Sequence, residues 1–91
     1  MQAVRLTVKG RVQGVGFRYF VCRRAEEYGI VGWVKNLPNG DVEAHAQGEP
    51  EALTRFTAAL HTGPSMAVVT DVREEQVPVK DFNGFSIRGW G

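Results

Sequence analysis

The sequence has little cysteine and no long apolar run. Cys22 is the single cysteine among 91 residues, so no internal disulfide can form and no second thiol can complete a metal site. No apolar stretch approaches the ~18 residues that a membrane span needs. The N-terminus also lacks the apolar segment and small-residue cleavage site of a secretory signal peptide. We therefore expect a cytoplasmic protein without membrane spans or disulfides.

Acidic residues are missing from the first 25 positions. The whole chain carries 11 Lys and Arg against 10 Asp and Glu, a formal net charge of +1. The N-terminal 25 residues nevertheless contain Arg5, Lys9, Arg11, Arg18, Arg23 and Arg24. Local positive charge on a nearly neutral chain indicates a site for a small anion or, alternatively, a solvated basic face. It does not indicate the broad basic surface typical of nucleic-acid binding.

Hydrophobic periodicity predicts the element order β-α-β-β-α-β, followed by a short extra strand. Strands are predicted over residues 4–9, 30–37, 42–47 and 67–77, with the short last strand at 85–88. One helix is predicted to begin at Phe17 and end at Gly29, and a second runs from Pro50 to Gly63-Pro64. The fourth strand should contain a bulge, because the apolar residues Val69 and Val72 fall on opposite parities.

This element order is that of the ferredoxin-like α+β sandwich, an antiparallel sheet with both helices on one face. A length of 91 residues with 43% hydrophobic residues predicts one globular domain spanning residues 1–91. The fold hosts many functions, so individual side chains, and not the fold, indicate the function.

One segment contains the parts of a phosphate site. It reads Gly10-Arg11-Val12-Gln13-Gly14-Val15-Gly16-Phe17-Arg18, between the first strand and the first helix. Gly14 and Gly16 can adopt positive φ, which lets successive backbone amides surround an anion. The helix start adds a partial positive charge, and Arg18 can bind two phosphate oxygens at once. The alternative is a glycine-rich turn with a surface arginine.

Two widespread phosphate motifs do not fit this loop. A Walker loop ends in Gly-Lys-Ser/Thr, whereas Gly16 is followed here by Phe17 and Arg18. The dinucleotide fingerprint requires a third glycine where this chain has Tyr19.

The segment at residues 10–18 resembles the signature of the acylphosphatase family. The second motif of that family is matched by Gly32-Trp33-Val34-Lys35-Asn36 and the following Asn39-Gly40 turn. Gly63-Pro64, Ala67-Val68-Val69 and Phe85-Ser86-Ile87-Arg88 are similar to its C-terminal half. The resemblance therefore covers nearly the whole chain. The chain departs from the family's usual Arg-x-Tyr ending, because Arg88 is followed by Gly89-Trp90-Gly91.

The resemblance implies an enzyme that hydrolyses the carboxyl–phosphate bond of small acyl phosphates. In that family an arginine matching Arg18 and the loop amides bind phosphate, and an asparagine matching Asn36 positions water. The expected phosphate-binding residues are Gln13, Gly14, Val15, Gly16, Phe17 and Arg18, and the expected catalytic residues are Arg18 and Asn36. We further expect no cofactor or metal, inorganic phosphate as product and inhibitor, and a monomer without nucleic-acid or membrane partners.

Two alternative functions are compared with hydrolysis of acyl phosphates. An RNA-binding module shares the element order, but the predicted strand 42–47 lacks the aromatic side chains on which bases stack. A phosphate- or acyl-phosphate-binding regulatory domain without turnover remains an alternative, although Arg18 and Asn36 are both present.

Cys22 could be a nucleophile, but its mid-helix position favours a structural role. His45, on the polar side of its strand, is expected at the surface.

Overall fold

The computed structural model describes residues 1–89 and confirms the predicted α+β fold. The elements are β1 (Gln2–Arg11), α1 (Phe17–Tyr28), β2 (Val31–Asn36), β3 (Val42–Gly48), α2 (Pro50–Thr62), β4 (Val68–Gln76) and β5 (Phe85–Arg88). They form one five-stranded sheet of order β4-β1-β3-β2-β5. The pairs among β1 to β4 are antiparallel, whereas the short extra strand β5 lies parallel to β2. The unusual ending Trp90-Gly91 lies outside the described residues.

The core lies between the sheet and the two helices. Alternate residues of the strands point into it, among them Leu6 and Val8 of β1 and Ala44 of β3, all fully buried. The helices contribute the stripes Phe17, Val21, Ala25 and Leu53, Phe56, Leu60. Because these stripes repeat at three- and four-residue spacing, each helix buries one face and leaves the other in solvent.

Helix α1 begins and ends on glycines with left-handed backbone. Gly29 has φ 69° and its N–H donates to the carbonyls of Ala25 and Glu26, which satisfies the exposed end of the helix. Gly16 has φ 77° at the N-terminal boundary. The predicted boundaries of α1 are confirmed. The segment at residues 10–18, which we call the glycine loop, therefore runs from the end of β1 into the start of the helix.

The predicted bulge is present where β1 meets β4. Lys9 lies opposite Asp71 and Gly10 opposite Val69, so Thr70 is the extra residue in β4. At Gly10, with φ 126°, a Cβ atom would collide with the carbonyl oxygen of Val68. Glycine is thus required at this position by the close approach of the two strands.

Residues 77–84, which we call the strap, join the two opposite edges of the sheet and cross the face that lacks helices. The prediction that His45 is exposed was wrong, because the Phe82 ring lies 5.1 Å from its ring and His45 retains 3% exposure. Gln47 holds the strap: its Nε2 donates to the Lys80 carbonyl at 2.6 Å, and its Oε1 accepts from the Lys80 N–H at 2.8 Å. His45 Nε2 also lies 2.9 Å from Gln47 Oε1.

We expect Gln47→Leu to lower the free energy of unfolding by about 1–3 kcal/mol, because both backbone groups of Lys80 lose their side-chain partners. Urea unfolding followed by circular dichroism measures the change. Gln76→Leu, at an exposed position of β4, is the matched control and should stay within about 0.5 kcal/mol of wild type. Equal stability of Gln47→Leu and wild type would show that Gln47 does not hold the strap.

Candidate active site

A pocket of about 170 Å³ opens where the glycine loop meets the edge of the sheet. Its lining residues are Val12, Gly14, Gly16, Phe17, Arg18, Tyr19, Asn36 and Ile87. The loop and the first turn of α1 form one side, while the end of β2 and strand β5 contribute Asn36 and Ile87. The fold thus brings Arg18 and Asn36, from two separate sequence motifs, into one cavity.

The glycines of the loop combine left-handed backbone with open space. Gly14 has φ 74° and Gly16 has φ 77°, a conformation that other residues adopt only at a cost. A Cβ atom at either position would meet no protein atom within 4 Å. Packing does not explain why glycine occupies these two positions. A loop that turns its amides inward and leaves room for a ligand does explain it.

The first turn of α1 directly follows this loop. The Phe20 N–H donates to the Gly16 carbonyl at 3.0 Å, and the three preceding amides have no carbonyl one turn back within the helix. Within residues 1–89, no side chain caps α1, and its first turn contains no acidic residue. The positive end of the helix dipole therefore favours an anion in the pocket.

Gln13 was predicted to contribute to phosphate binding, but its side chain makes hydrogen bonds to other parts of the protein. Its Nε2 donates to the carbonyls of Leu37 at 2.8 Å and Asp41 at 2.9 Å. Gln13 and Val15 are both absent from the pocket lining, whereas Gly14, Gly16, Phe17 and Arg18 belong to it. The Gln13 side chain thus joins the loop to the turn that follows Asn36, a long-range contact with no signature in the sequence.

A partly buried ion pair supports the turn next to Asn36. Lys9 Nζ lies 2.7 Å from Asp41 Oδ2, and Asp41 is 9% exposed. The hydrogen bond from Lys9 holds the pKa of the Asp41 carboxyl below its usual value, with smaller contributions from Lys9 charge and Asn39. The resulting stabilisation is present above the ordinary carboxyl pKa and is lost as the pH falls through the lowered one. Sequence reasoning singled out neither residue for this role.

Cys22 lies outside the pocket lining. Its thiol is half-buried on α1, with Sγ 3.8 Å from the Phe85 carbonyl oxygen. Burial, and to a smaller extent the nearby Glu26 carboxylate, raises the pKa of the thiol. A raised pKa disfavours the reactive thiolate, so the environment of Cys22 fits the structural role expected for it.

Nowhere in residues 1–89 do three or more His, Cys, Asp or Glu side chains come together as a group able to hold a metal ion. No helix in the same range is both long and apolar enough to cross a membrane.

Known proteins similar to this chain share both its sequence and its fold. A family model described as Acylphosphatase matches residues 4–87. The chain is 46% identical over 89 residues to an acylphosphatase of Nocardioides sp., covering 98% of this chain and 85% of that protein. It is 48% identical to one of Synechococcus sp., covering 92% and 84%. The crystal structure of acylphosphatase from Bacillus subtilis superposes with a TM-score of 0.95 at 41% identity, covering 98% and 100%.

Proposed function

The chain belongs to the acylphosphatase family and is an enzyme that hydrolyses acyl phosphates. On this basis we propose which step of the reaction each residue of the pocket assists. Arg18 and the amides of the loop at residues 10–18 bind the phosphoryl group, and Asn36 positions the attacking water. The observation that carries the proposal is the shared pocket, which Arg18 and Asn36 line together with Gly14 and Gly16. A regulatory domain without turnover has less support, because the curated relatives are named as enzymes.

Phosphate binding in this pocket rests on fixed charges and dipoles. The guanidinium of Arg18 offers two parallel N–H donors that match two phosphate oxygens. The amides at the start of α1 and around Gly14 add further donors that need no rearrangement. Donors held in place before the reaction stabilise the charge on the equatorial oxygens of the transition state, which is the main protein contribution to phosphoryl transfer.

Asn36 suits a positioning role and not a role as a base. Its carboxamide can accept one hydrogen bond from water and donate another, and it does not titrate. Held in line with the leaving group, the water oxygen bonds to phosphorus while the bond from phosphorus to the acyl oxygen breaks. The carboxylate leaves as a stable anion, so no general acid is required. A phosphate oxygen accepts the proton from water, and the products are a carboxylate and inorganic phosphate.

Inorganic phosphate should bind the loop directly, as the product of this reaction. In a titration followed by amide NMR, we expect the largest shifts at Gly14, Gly16, Phe17 and Arg18, because their N–H groups surround the anion. The amides of α2 serve as the internal control, and sodium chloride at matched ionic strength controls for salt. Phosphate-dependent shifts confined to another surface would contradict the assignment of the loop.

We also propose the domain organisation, location, oligomeric state and cofactor requirement of the enzyme. We infer that residues 1–91 act as one domain, as a cytoplasmic monomer without a cofactor. Arg18 and the amides supply the charge stabilisation that a metal ion would otherwise provide, so the mechanism is metal-independent.

Activity should therefore survive both chelation and loss of the thiol. We expect turnover of acetyl phosphate with EDTA present, and turnover by Cys22→Ser, to stay within about twofold of the untreated wild type, because the thiol has no activating environment. Restoration with Mg²⁺ after EDTA treatment is the control. A loss on chelation that Mg²⁺ reverses would refute the metal-free mechanism. An inactive but folded Cys22→Ser would reopen the cysteine nucleophile.

A further inference from the structure

The Gln13 side chain connects the glycine loop to the turn that follows Asn36. Its Nε2 donates to the Leu37 carbonyl at 2.8 Å and to the Asp41 carbonyl at 2.9 Å. Both hydrogens of the carboxamide are therefore used on one backbone segment. In the chain, Gln13 lies between two residues that line the pocket. One side chain thus joins a wall of the pocket to the residue that directly follows Asn36.

The two acceptor carbonyls lie where the regular pairing of β2 with β3 ends. Asn36 and Val42 are the outermost register partners of these strands. Beyond them, the Leu37 N–H donates to the Asp41 carbonyl at 2.8 Å, and the Gly40 N–H donates to the Leu37 carbonyl at 3.1 Å. Because the strand pairing stops at Asn36, the backbone just after it is held by this turn and by the side chain that binds the turn.

The glycine loop is anchored in the core independently of the Gln13 side chain. Val12 and Phe17, on either side of Gln13, are each 1% exposed and belong to the core. Phe17 is the first residue of α1 and directly precedes Arg18. Loss of the Gln13 side chain should therefore leave Arg18 and the first amides of α1 in place, while it breaks the connection to the turn.

We propose that Gln13 is a positioning residue for the hydrolysis, whose side chain fixes Asn36 relative to the bound phosphoryl group. The proposal rests on the proposed roles of Arg18 in phosphate binding and of Asn36 in water positioning. In-line attack requires the water oxygen, phosphorus and the leaving oxygen to be roughly collinear, and a misplacement of about 1 Å can cost roughly 10² in rate. A hydrogen-bonded link between the loop and the turn preserves that alignment.

The test removes both hydrogen bonds in Gln13→Leu and measures kcat for acetyl phosphate together with inhibition by phosphate. We expect kcat to fall by roughly 10- to 100-fold, because the water is no longer held in line. The inhibition constant for phosphate should stay within about threefold of wild type, since the loop keeps its core anchors. Gln13→Glu has nearly the same shape without the amide donors and should lose kcat as well. Wild-type kcat in both variants would overturn the proposal.

A double variant shows whether Gln13 acts through Asn36. Once Asn36 is already alanine, adding Gln13→Leu should lower kcat by less than about threefold, whereas the effects of independent residues would multiply. The same loss in both backgrounds would overturn the proposal. So would phosphate inhibition that weakens as strongly as kcat falls, because Gln13 would then act on the phosphate site.

Gln47→Leu is the matched control for lost stability. Gln47 also binds one backbone segment through its carboxamide, at Lys80, and it lies outside the pocket lining. The substitution should lower the free energy of unfolding without lowering kcat. A comparable fall in kcat would attribute the Gln13 effect to destabilisation and overturn the proposal. Failure of the underlying water assignment is recognised separately, as wild-type kcat in the single variant Asn36→Ala.

Discussion

Replacing Arg18 with alanine is expected to damage both phosphate binding and turnover. In the proposed mechanism the guanidinium contacts the phosphoryl group in the bound substrate and in the transition state, so its loss should weaken both. Removing one partner of a hydrogen-bonded charge pair costs about 2–5 kcal/mol, which corresponds to roughly 30- to 5,000-fold in affinity. Steady-state kinetics with acetyl phosphate should therefore show a lower kcat/KM and a higher inhibition constant for phosphate.

Arg18→Lys tests whether charge alone suffices. We expect lysine at this position not to restore the activity lost in Arg18→Ala, because an ammonium group cannot reproduce the two parallel hydrogen bonds of a guanidinium. Arg55→Ala removes an exposed arginine from α2 and is the matched control for the loss of one positive charge. Wild-type phosphate inhibition in folded Arg18→Ala would exclude Arg18 from the phosphate site.

Replacing Asn36 with alanine is expected to separate catalysis from binding. In the proposed mechanism the carboxamide acts on the attacking water, which contributes little to the affinity for phosphate. We expect kcat to fall by roughly 10²–10³-fold, as on loss of one fixed catalytic hydrogen bond. An effect on kcat without an effect on phosphate inhibition identifies an interaction made only in the transition state.

Asn83→Ala is the matched control for Asn36, since Asn83 is an exposed asparagine in the strap, outside the pocket lining. It should retain wild-type kcat, and circular dichroism should confirm that both variants fold. Wild-type kcat in Asn36→Ala would mean that another group positions the water.

Local signals in the sequence predicted most of the fold. The boundaries of α1 were predictable because Gly29 ends the helix through its own backbone conformation. The bulge in β4 was predictable because inserting one residue, Thr70, lets Val69 and Val72 face the same side. The presence of Arg18 and Asn36 in one pocket was an expectation from the family resemblance, and residue spacing alone could not have placed them together.

Long-range contacts account for what the sequence could not predict. Alternation placed His45 on the polar side of its strand but could not reveal that Phe82, in the strap, covers it. The Gln13 side chain pairs with carbonyls more than 20 positions away. Ile87 was likewise not predicted as a pocket residue, because only the parallel pairing of β5 with β2 brings it there.

The proposed roles of Arg18 and Asn36 are tested most directly by the dissociation constant of inorganic phosphate. Calorimetry measures this constant for wild type and both alanine variants. We predict that Asn36→Ala binds phosphate within about twofold of wild type, whereas Arg18→Ala binds at least roughly 30-fold more weakly. Equal weakening in the two variants, or none in Arg18→Ala, would contradict the assignment of phosphate to Arg18 and water to Asn36.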